Sequence, residues 1–258
     1  MHTKISSANP YGHNRWGFAW ECVPRRTDAH LDFGCYDGHF LSALKDKQIG
    51  RLVGVDVSSE AVEQGQRRFP DLEITNIQDA APLPFDEATF DSITILDVLE
   101  HVSKQHELLM ELSRVLKDQG RLILTVPGRH LFSFLDMGNL KFRFPRLHRW
   151  YYCLGHSREE YERRYVSNPD GLVGDVSAEK RWHEHFSRRK LGDLLAQAGF
   201  SIIDFDGAGF FGRLIGNIRY FFRWLKPVSK ALTRLQNLDA ASFESTHVFC
   251  VAEKRRPE

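Results

Sequence analysis

An α/β fold, with helices wound on both sides of a mainly parallel sheet, is the class this sequence predicts. Three observations lead there. Short apolar runs alternate with helical patterns through the first half of the chain, as in successive β-α-β units. A turn carrying Gly34 and Gly38 follows the first run, and a carboxylate, Asp56, closes the second. The 258 residues are 42% hydrophobic and sum to a net charge of +1, which fits one large globular domain spanning 1–258 and excludes a disordered chain or a protein that coats polyanions.

The elements follow in order. Ala29–Phe33 reads as the first strand, and Gly38 opens a helix that runs to about Lys45. Residues 51–57 (RLVGVDV) form the second strand, and Ser59–Arg68 a helix capped by Ser58 or Ser59. Residues 72–76 are the third strand. After the turn-rich Pro82-Leu83-Pro84-Phe85 comes a fourth strand, Phe90–Leu96, then a helix over about 104–116 with Leu108, Leu109, Leu112, Val115 and Leu116 at helical spacing and Gly120 as its stop. Residues 121–126 are a fifth strand, closed by Pro127-Gly128.

From Arg129 to Glu184 the rhythm breaks, and this segment is expected to be an insertion that walls or lids a substrate pocket. It carries Phe132, Phe134, Leu135, Phe142, Phe144, Trp150, Tyr151 and Tyr152, interleaved with Arg143, Arg146 and Arg149, and the turn pair Asn168-Pro169. Its bland reading is an accessory subdomain with its own core. Regular structure resumes with Ser187 as a cap, a helix to Ala198, Gly199 as its stop, a strand at 200–205 and a last strand at 246–253.

No run approaches the roughly 18 apolar residues of a spanning helix, and residues 1–14 lack the apolar core of a signal peptide. The chain is therefore expected in the cytoplasm. Cys22, Cys35, Cys153 and Cys250 include no CxxC pair, which fits reduced thiols with structural roles rather than a disulfide framework or a zinc site.

The near-neutral sum is a cancellation. Between Asp71 and Asp118 acids far outnumber bases, whereas residues 207–237 contain no acid at all. In that second stretch Arg213, Arg219, Arg223, Lys226, Lys230 and Arg234 stand among Phe210, Phe211, Tyr220, Phe221, Phe222 and Trp224. Between Gly209 and Leu235 three readings stand: an interfacial helix, interrupted at Pro227, on the inner face of an anionic membrane; a helix pair covering the sheet with its bases in water; or a nucleic-acid surface, for which no recognisable module is present.

The candidate site is built from strand ends. Gly34 and Gly38 let the backbone turn tightly and leave a helix N-terminus open to a ligand. Asp56, about 20 residues on at the end of the next strand, is placed to accept the hydroxyl protons of a ribose; its alternative is capping before Ser58. Asp79 in Asn76-Ile77-Gln78-Asp79-Ala80 is an acceptor for an exocyclic amine, with Ile77 packed on the ring. The fourth strand ends in Leu96-Asp97-Val98-Leu99-Glu100-His101-Val102, which puts polar groups at the sheet's ligand-binding rim.

Taken together, Asp32-x-Gly34-Cys35-x-x-Gly38, Val53-Gly54-Val55-Asp56, Asp79 before Pro82-Leu83-Pro84-Phe85, Phe90-Asp91, the Leu96 to Val102 segment and Leu116-Lys117-x-x-Gly120 resemble the class I S-adenosylmethionine-dependent methyltransferases, in their small-molecule, type 11-like branch. The likeness covers 31–127 in order and spacing, and His185-Phe186-Ser187 with Ala198-Gly199-Phe200 extends it. It implies a Rossmann-like doubly wound sheet of seven strands in the order 3-2-1-4-5-7-6, the last antiparallel. It implies S-adenosyl-L-methionine as cofactor, with Asp32, Gly34 and Gly38 around its methionine part, Asp56 at the ribose, and Cys35 and Val57 among the cofactor-binding residues. Ile77, Asp79 and Ala80 would then meet the adenine, and Leu96 and Asp97 the edge of the transfer site. Tyr36 departs from the pattern: many members have glycine there, and the Tyr36 ring is expected to cover part of the pocket.

Methyl transfer from a sulfonium to a hydroxyl needs an in-line acceptor, exclusion of water and a base. His101 is the candidate base, with Asp97 beside it, and His183 and His185 are its rivals. Asp97, Glu100 and His101 also resemble the Glu-x-x-Glu-His segment of quinone-pathway O-methyltransferases, where a divalent metal has been implicated, although an ion-pair and capping cluster explains the same residues and no metal is expected. A small or lipid-like acceptor methylated at oxygen is the expected chemistry, with no nucleic-acid partner. An NAD-dependent oxidoreductase would need a GxGxxG loop that Gly34-Cys35-Tyr36-Asp37-Gly38 does not provide; a membrane-attached protein without catalysis is the remaining alternative.

Overall fold

The computed structural model of the chain describes residues 3–131, 133, 144–162, 166 and 184–256. Seven strands lie in one sheet in the order β3-β2-β1-β4-β5-β7-β6. They are β1 Ala29–Phe33, β2 Arg51–Asp56, β3 Glu73–Asn76, β4 Phe90–Leu96, β5 Leu116–Pro127, β6 Phe200–Ala208 and β7 His247–Lys254. β7 is antiparallel to both β5 and β6, and the other pairings are parallel. The order reverses at β1, between β2 and β4, so the crevice at the carboxyl ends of these strands is where such a sheet takes ligands.

Two apolar layers hold the sheet. On one face the leucines of α4 (Gln105–Val115) and Leu191 and Leu195 of α7 (Arg188–Gln197) pack against Leu31, Phe33, Val53, Val55, Ile93 and Ile95. The other face takes Phe18, Ala19 and Trp20 of α1 (Arg15–Cys22), Phe40 and Leu41 of α2 (His39–Ala43) and Val62 of α3 (Ser59–Arg68). Each fully buried Leu or Phe removes apolar surface worth about 2 kcal/mol. The caps read from the sequence form: Ser58 accepts from the Ala61 N–H at 3.3 Å and Ser187 from the Lys190 N–H at 3.2 Å.

Three local readings are corrected. Helix α4 ends at Val115, not at Gly120, because Leu116 already bridges to Phe90 and begins β5. Gly120 instead lets the strand pass close to its own start: a Cβ there would stand 2.7 Å from the Lys117 carbonyl oxygen. Pro227 does not interrupt a helix. It sits in the first turn of α9 (Lys226–Ser242), where a missing N–H costs nothing, and α8 (Gly212–Phe221) precedes it as a separate helix. The strand expected at 200–205 runs on to Ala208, since its partner β7 continues pairing to His247.

Of the expected insertion, α5 (Pro145–Tyr152) and α6 (Arg158–Tyr161) are described. Phe132, Phe134, Leu135, Phe142, Arg143, Asn168, Pro169, Trp182 and His183 lie outside the described residues. Among the described residues no helix is long and apolar enough to cross a membrane.

Candidate functional site

The β1–α2 loop is shaped by its glycines. Gly34 and Gly38 have φ of +81° and +75°, a region L-residues avoid. At Gly34 the space is also taken, since a Cβ would sit 2.3 Å from Val98 Cγ2. The Gly34 and Cys35 N–H groups donate to the Val55 carbonyl (2.8 and 3.1 Å), which ties the loop to β2. Cys35 turns inward: it is buried, and a Cβ on Gly54 would stand 2.7 Å from its Sγ. Burial, with Asp32 and Asp56 adding to it, pushes its thiol pKa well up.

Asp56 closes β2 and faces this loop. Its carboxylate accepts the Tyr36 N–H at 2.8 Å and the Ser58 N–H at 2.9 Å. An ionised carboxylate has about four acceptor positions, so two remain for hydroxyl donors. A cavity of about 270 Å³ lies above it, walled by Phe33, Gly34, Tyr36, Val55, Asp56, Val57, Ile77, Leu96, Val98 and, at one end, Arg15 and Asp97. The apolar side chains of Phe33, Val55, Ile77 and Val98 beside the Asp56 carboxylate fit an adenosyl group.

Of the residues expected at the cofactor, Gly34, Asp56, Val57, Ile77 and Leu96 border this cavity; Asp32, Cys35, Gly38, Asp79 and Ala80 are not in its lining. Gly38 packs against Ile74, Asp79 is exposed, and Ala80 packs on the core.

Asp32 is buried within β1 and belongs to a polar string. Thr94 Oγ1 donates to Asp32 Oδ1 at 2.7 Å, His30 Nε2 lies 3.0 Å from Thr94 Oγ1, and His30 Nδ1 lies 2.8 Å from Ser92 Oγ. With the one Thr94 proton given to Asp32, Thr94 accepts from a neutral His30 protonated at Nε2, and Ser92 donates to Nδ1. Burial lifts the Asp32 carboxyl to about 7, with the Asp56 charge adding and the Thr94 bond opposing, while burial drops His30 to about 3.

These two groups act oppositely on stability. Below its raised pKa, folded Asp32 holds a proton the unfolded chain has released, so its contribution falls as pH rises from about 4 to 7. His30 must stay neutral to remain buried, so its contribution falls as pH drops from about 6.5 to 3. Over their shared window the two offset. Asp32→Asn is therefore expected to gain stability relative to the parent between pH 5 and 7, by at most about 1.4 kcal/mol per pH unit. Urea denaturation of both proteins without cofactor checks this; parallel pH curves would contradict it.

Asp97 ends the β4 turn with φ of +54°. Thr125 Oγ1 donates to its Oδ1 at 2.7 Å, and Arg15 of α1 forms an ion pair with its Oδ2. Burial opposes the charge, yet Arg15, His247 and Thr125 outweigh it and hold the carboxyl below its usual range. Asp97 is thus ionised at neutral pH, with Thr125 on one carboxylate oxygen and Arg15 on the other.

Beyond Asp97 opens a second, larger chamber of about 980 Å³, and Arg15, Leu96 and Asp97 are the wall common to both spaces. His101, in the 3-10 turn Leu99–His101, borders the chamber with Glu100. Tyr11, Trp16 and Phe249 supply apolar wall; His13, His247, Arg213, Arg219 and Gln236 supply polar wall. His185 is not in its lining. Among the described residues no group of three or more His, Cys, Asp or Glu is arranged to hold a metal ion.

Sequence reasoning missed the N-terminal segment. Residues 11–16 form one side of the chamber, and Arg15 joins it to the cavity. The available signal was Asn14, whose side chain accepts the Gly17 N–H at 3.0 Å and caps α1. Arg213, Arg219 and His247 were also unassigned, because their elements return to the site only through the fold of 200–254.

A family model described as a methyltransferase domain matches residues 18–204. A demethylmenaquinone methyltransferase of Symbiobacterium thermophilum is 32% identical over 121 residues, 44% of this chain and 48% of that protein. A probable S-adenosylmethionine-dependent methyltransferase of Mycolicibacterium smegmatis is 29% identical over 103 residues, 40% of this chain and 39% of that protein. The matched stretch thus spans less than half the length of these curated relatives. Among solved structures, the YcgJ protein of Bacillus subtilis superposes with a TM-score of 0.59 at 17% identity, over 95% of this chain and all of that one. An S-adenosylmethionine-dependent methyltransferase of Methanosarcina mazei gives 0.53 at 18% identity over 90% of this chain and 95% of that one. At such identities these two show the shared fold.

Proposed function

We propose an activity and an acceptor class from one premise: this chain belongs to the class I S-adenosylmethionine-dependent methyltransferases. The activity is transfer of a methyl group to an oxygen of a small or lipid-like acceptor. One observation carries the reading: the Asp56 cavity and the larger chamber share the wall made by Arg15, Leu96 and Asp97, so a donor on one side and an acceptor on the other meet at that wall.

When bound, S-adenosylmethionine supplies an electrophilic methyl group on a cationic sulfur. Asp56 holds the ribose through its two remaining acceptor positions, and Phe33, Ile77 and Val57 enclose the base. Asp32 and the glycine turn of Gly34, Cys35 and Gly38 shape the methionine end, and Asp79 and Ala80 belong to the adenine end through their place in the chain after Ile77. Tyr36, 46% exposed over the cavity, shields it from water. Asp97, kept ionised by Arg15, stabilises positive charge at the wall. His101 would take the proton from the acceptor hydroxyl as that oxygen gains the methyl group, the methyl–sulfur bond giving its electron pair back to sulfur to leave a neutral thioether, and would then release the proton to solvent.

The chamber's lining supports an amphiphilic acceptor. Arg213, Arg219 and Gln236 suit a polar head, and Tyr11, Trp16 and Phe249 suit an apolar portion. Relatives named for demethylmenaquinone add support for a lipid-like molecule. The test is transfer of a labelled methyl group from S-adenosylmethionine into separated fractions of a bacterial extract, with mass spectrometry of the product. Label on an oxygen of an organic-phase molecule is the expected result; label confined to protein, nucleic acid or nitrogen would overturn the acceptor reading.

A further inference from the structure

We propose that the α8–α9 hairpin, with α5 beside it, seats this protein on an anionic bilayer. The proposal deepens the lipid-like acceptor reading, but it rests on a separate surface. At the end of α8 and in the link to α9, Phe221, Phe222 and Trp224 stand in the open, Trp224 at 72% exposure. Tyr151 of α5 reaches the same place, with ring centroids 5.0 Å from Phe221 and 5.5 Å from Tyr220. Its neighbours Leu147, Trp150 and Leu154 extend the apolar face, Trp150 at 62% exposure.

Cations frame these rings. Arg223, Lys226 and Lys230 are all exposed, Arg223 lies over the Tyr220 ring at 5.1 Å, and no acid occurs in 207–237. Glu160 and Glu162 of the adjoining segment are engaged by Tyr152 and Arg149. Exposed Trp and Phe framed by Lys and Arg match the chemistry of a headgroup layer, where rings enter the interface and cations meet lipid phosphates. A second copy of this chain fits less well, since an isologous contact would bring the same cations together. The hairpin's inner side supplies Arg213, Arg219 and Gln236 to the acceptor chamber, so the surface and the chamber are two sides of one element.

The experiment is co-sedimentation of the intact chain with vesicles of phosphatidylglycerol and phosphatidylcholine, against phosphatidylcholine alone. Preferential pelleting with the anionic vesicles is expected, and each cation removed in the series R223Q, K226Q, K230Q should cost about five-fold in partitioning. W224S should lower partitioning to both vesicle types. Calorimetry with S-adenosylhomocysteine and circular dichroism of each variant establish that fold and cofactor site are intact. Equal pelleting with both vesicle types, or a charge series that leaves anionic binding unchanged, overturns the proposal. So does a concentration-dependent dimer abolished by W224S without any vesicle binding. None of these readouts depends on turnover, so failure here leaves the acceptor reading standing.

Discussion

Asp56→Ala is expected to weaken S-adenosylmethionine binding by about 100-fold or more while the chain still folds. The carboxylate does two jobs at once. It tethers the β1–α2 loop through the Tyr36 N–H and the Ser58 N–H, and it offers its other acceptor positions to the cavity. Hydrogen bonds to a charged group contribute about 1.5–3 kcal/mol each, so losing a pair of them to a ribose reaches that magnitude. Asp56→Asn separates the two jobs: its amide oxygen keeps one tether but its NH₂ opposes the other N–H, so binding falls while most of the loop is retained. Calorimetric titration with circular dichroism checks both variants. Affinity within a few-fold of the parent would remove Asp56 from the cofactor site.

His101→Ala is expected to lower kcat on the order of 100-fold or more with cofactor affinity changed by about two-fold at most. The motivation is placement. His101 borders the larger chamber but not the Asp56 cavity, and Asp97, on the wall common to both, is held ionised by Arg15. A merely packing residue in the Leu99–His101 turn would shift stability and binding together, so the split between kcat and cofactor Kd is the informative readout. His101→Gln preserves polarity and size, and it should be as slow as the alanine variant if proton removal is the function. Parent-like turnover by either variant at saturating substrates would pass the base to another chamber residue.

The strands and helices that position the site were legible because their signals are local. The apolar runs of β1, β2 and β4, the Ser58 and Ser187 caps and the positive-φ glycines at 34 and 38 each lie within a few residues of what they specify. The seven-strand order followed from the resemblance and matches the observed sheet. What escaped depends on distant chain segments. Arg15 meets Asp97 across 82 positions, and nothing near Arg15 in sequence announces that partner. The helix that carries it is short, and most of one side is buried by Phe18, Ala19 and Trp20 packing on β5 and β7. Gly120 was misread for the opposite reason: a glycine after a helix is a common stop, but here tertiary pairing of Leu116 with Phe90 ended the helix earlier.

The separation of charge along the sequence acquires a physical arrangement in the same way. The acid Asp97 is a paired, partly buried anion at the wall between two cavities. The acid-free stretch is a two-helix hairpin whose inner side lines the chamber and whose end is exposed and aromatic. A near-zero sum conceals both.

The most direct test of the account is a crystal structure of the chain with S-adenosylhomocysteine. The ribose is expected on Asp56, the base beside Ile77, and the sulfur at the Leu96–Asp97 wall facing the chamber that His101 borders. A ligand bound away from Asp56, or with its sulfur turned from that chamber, would contradict it.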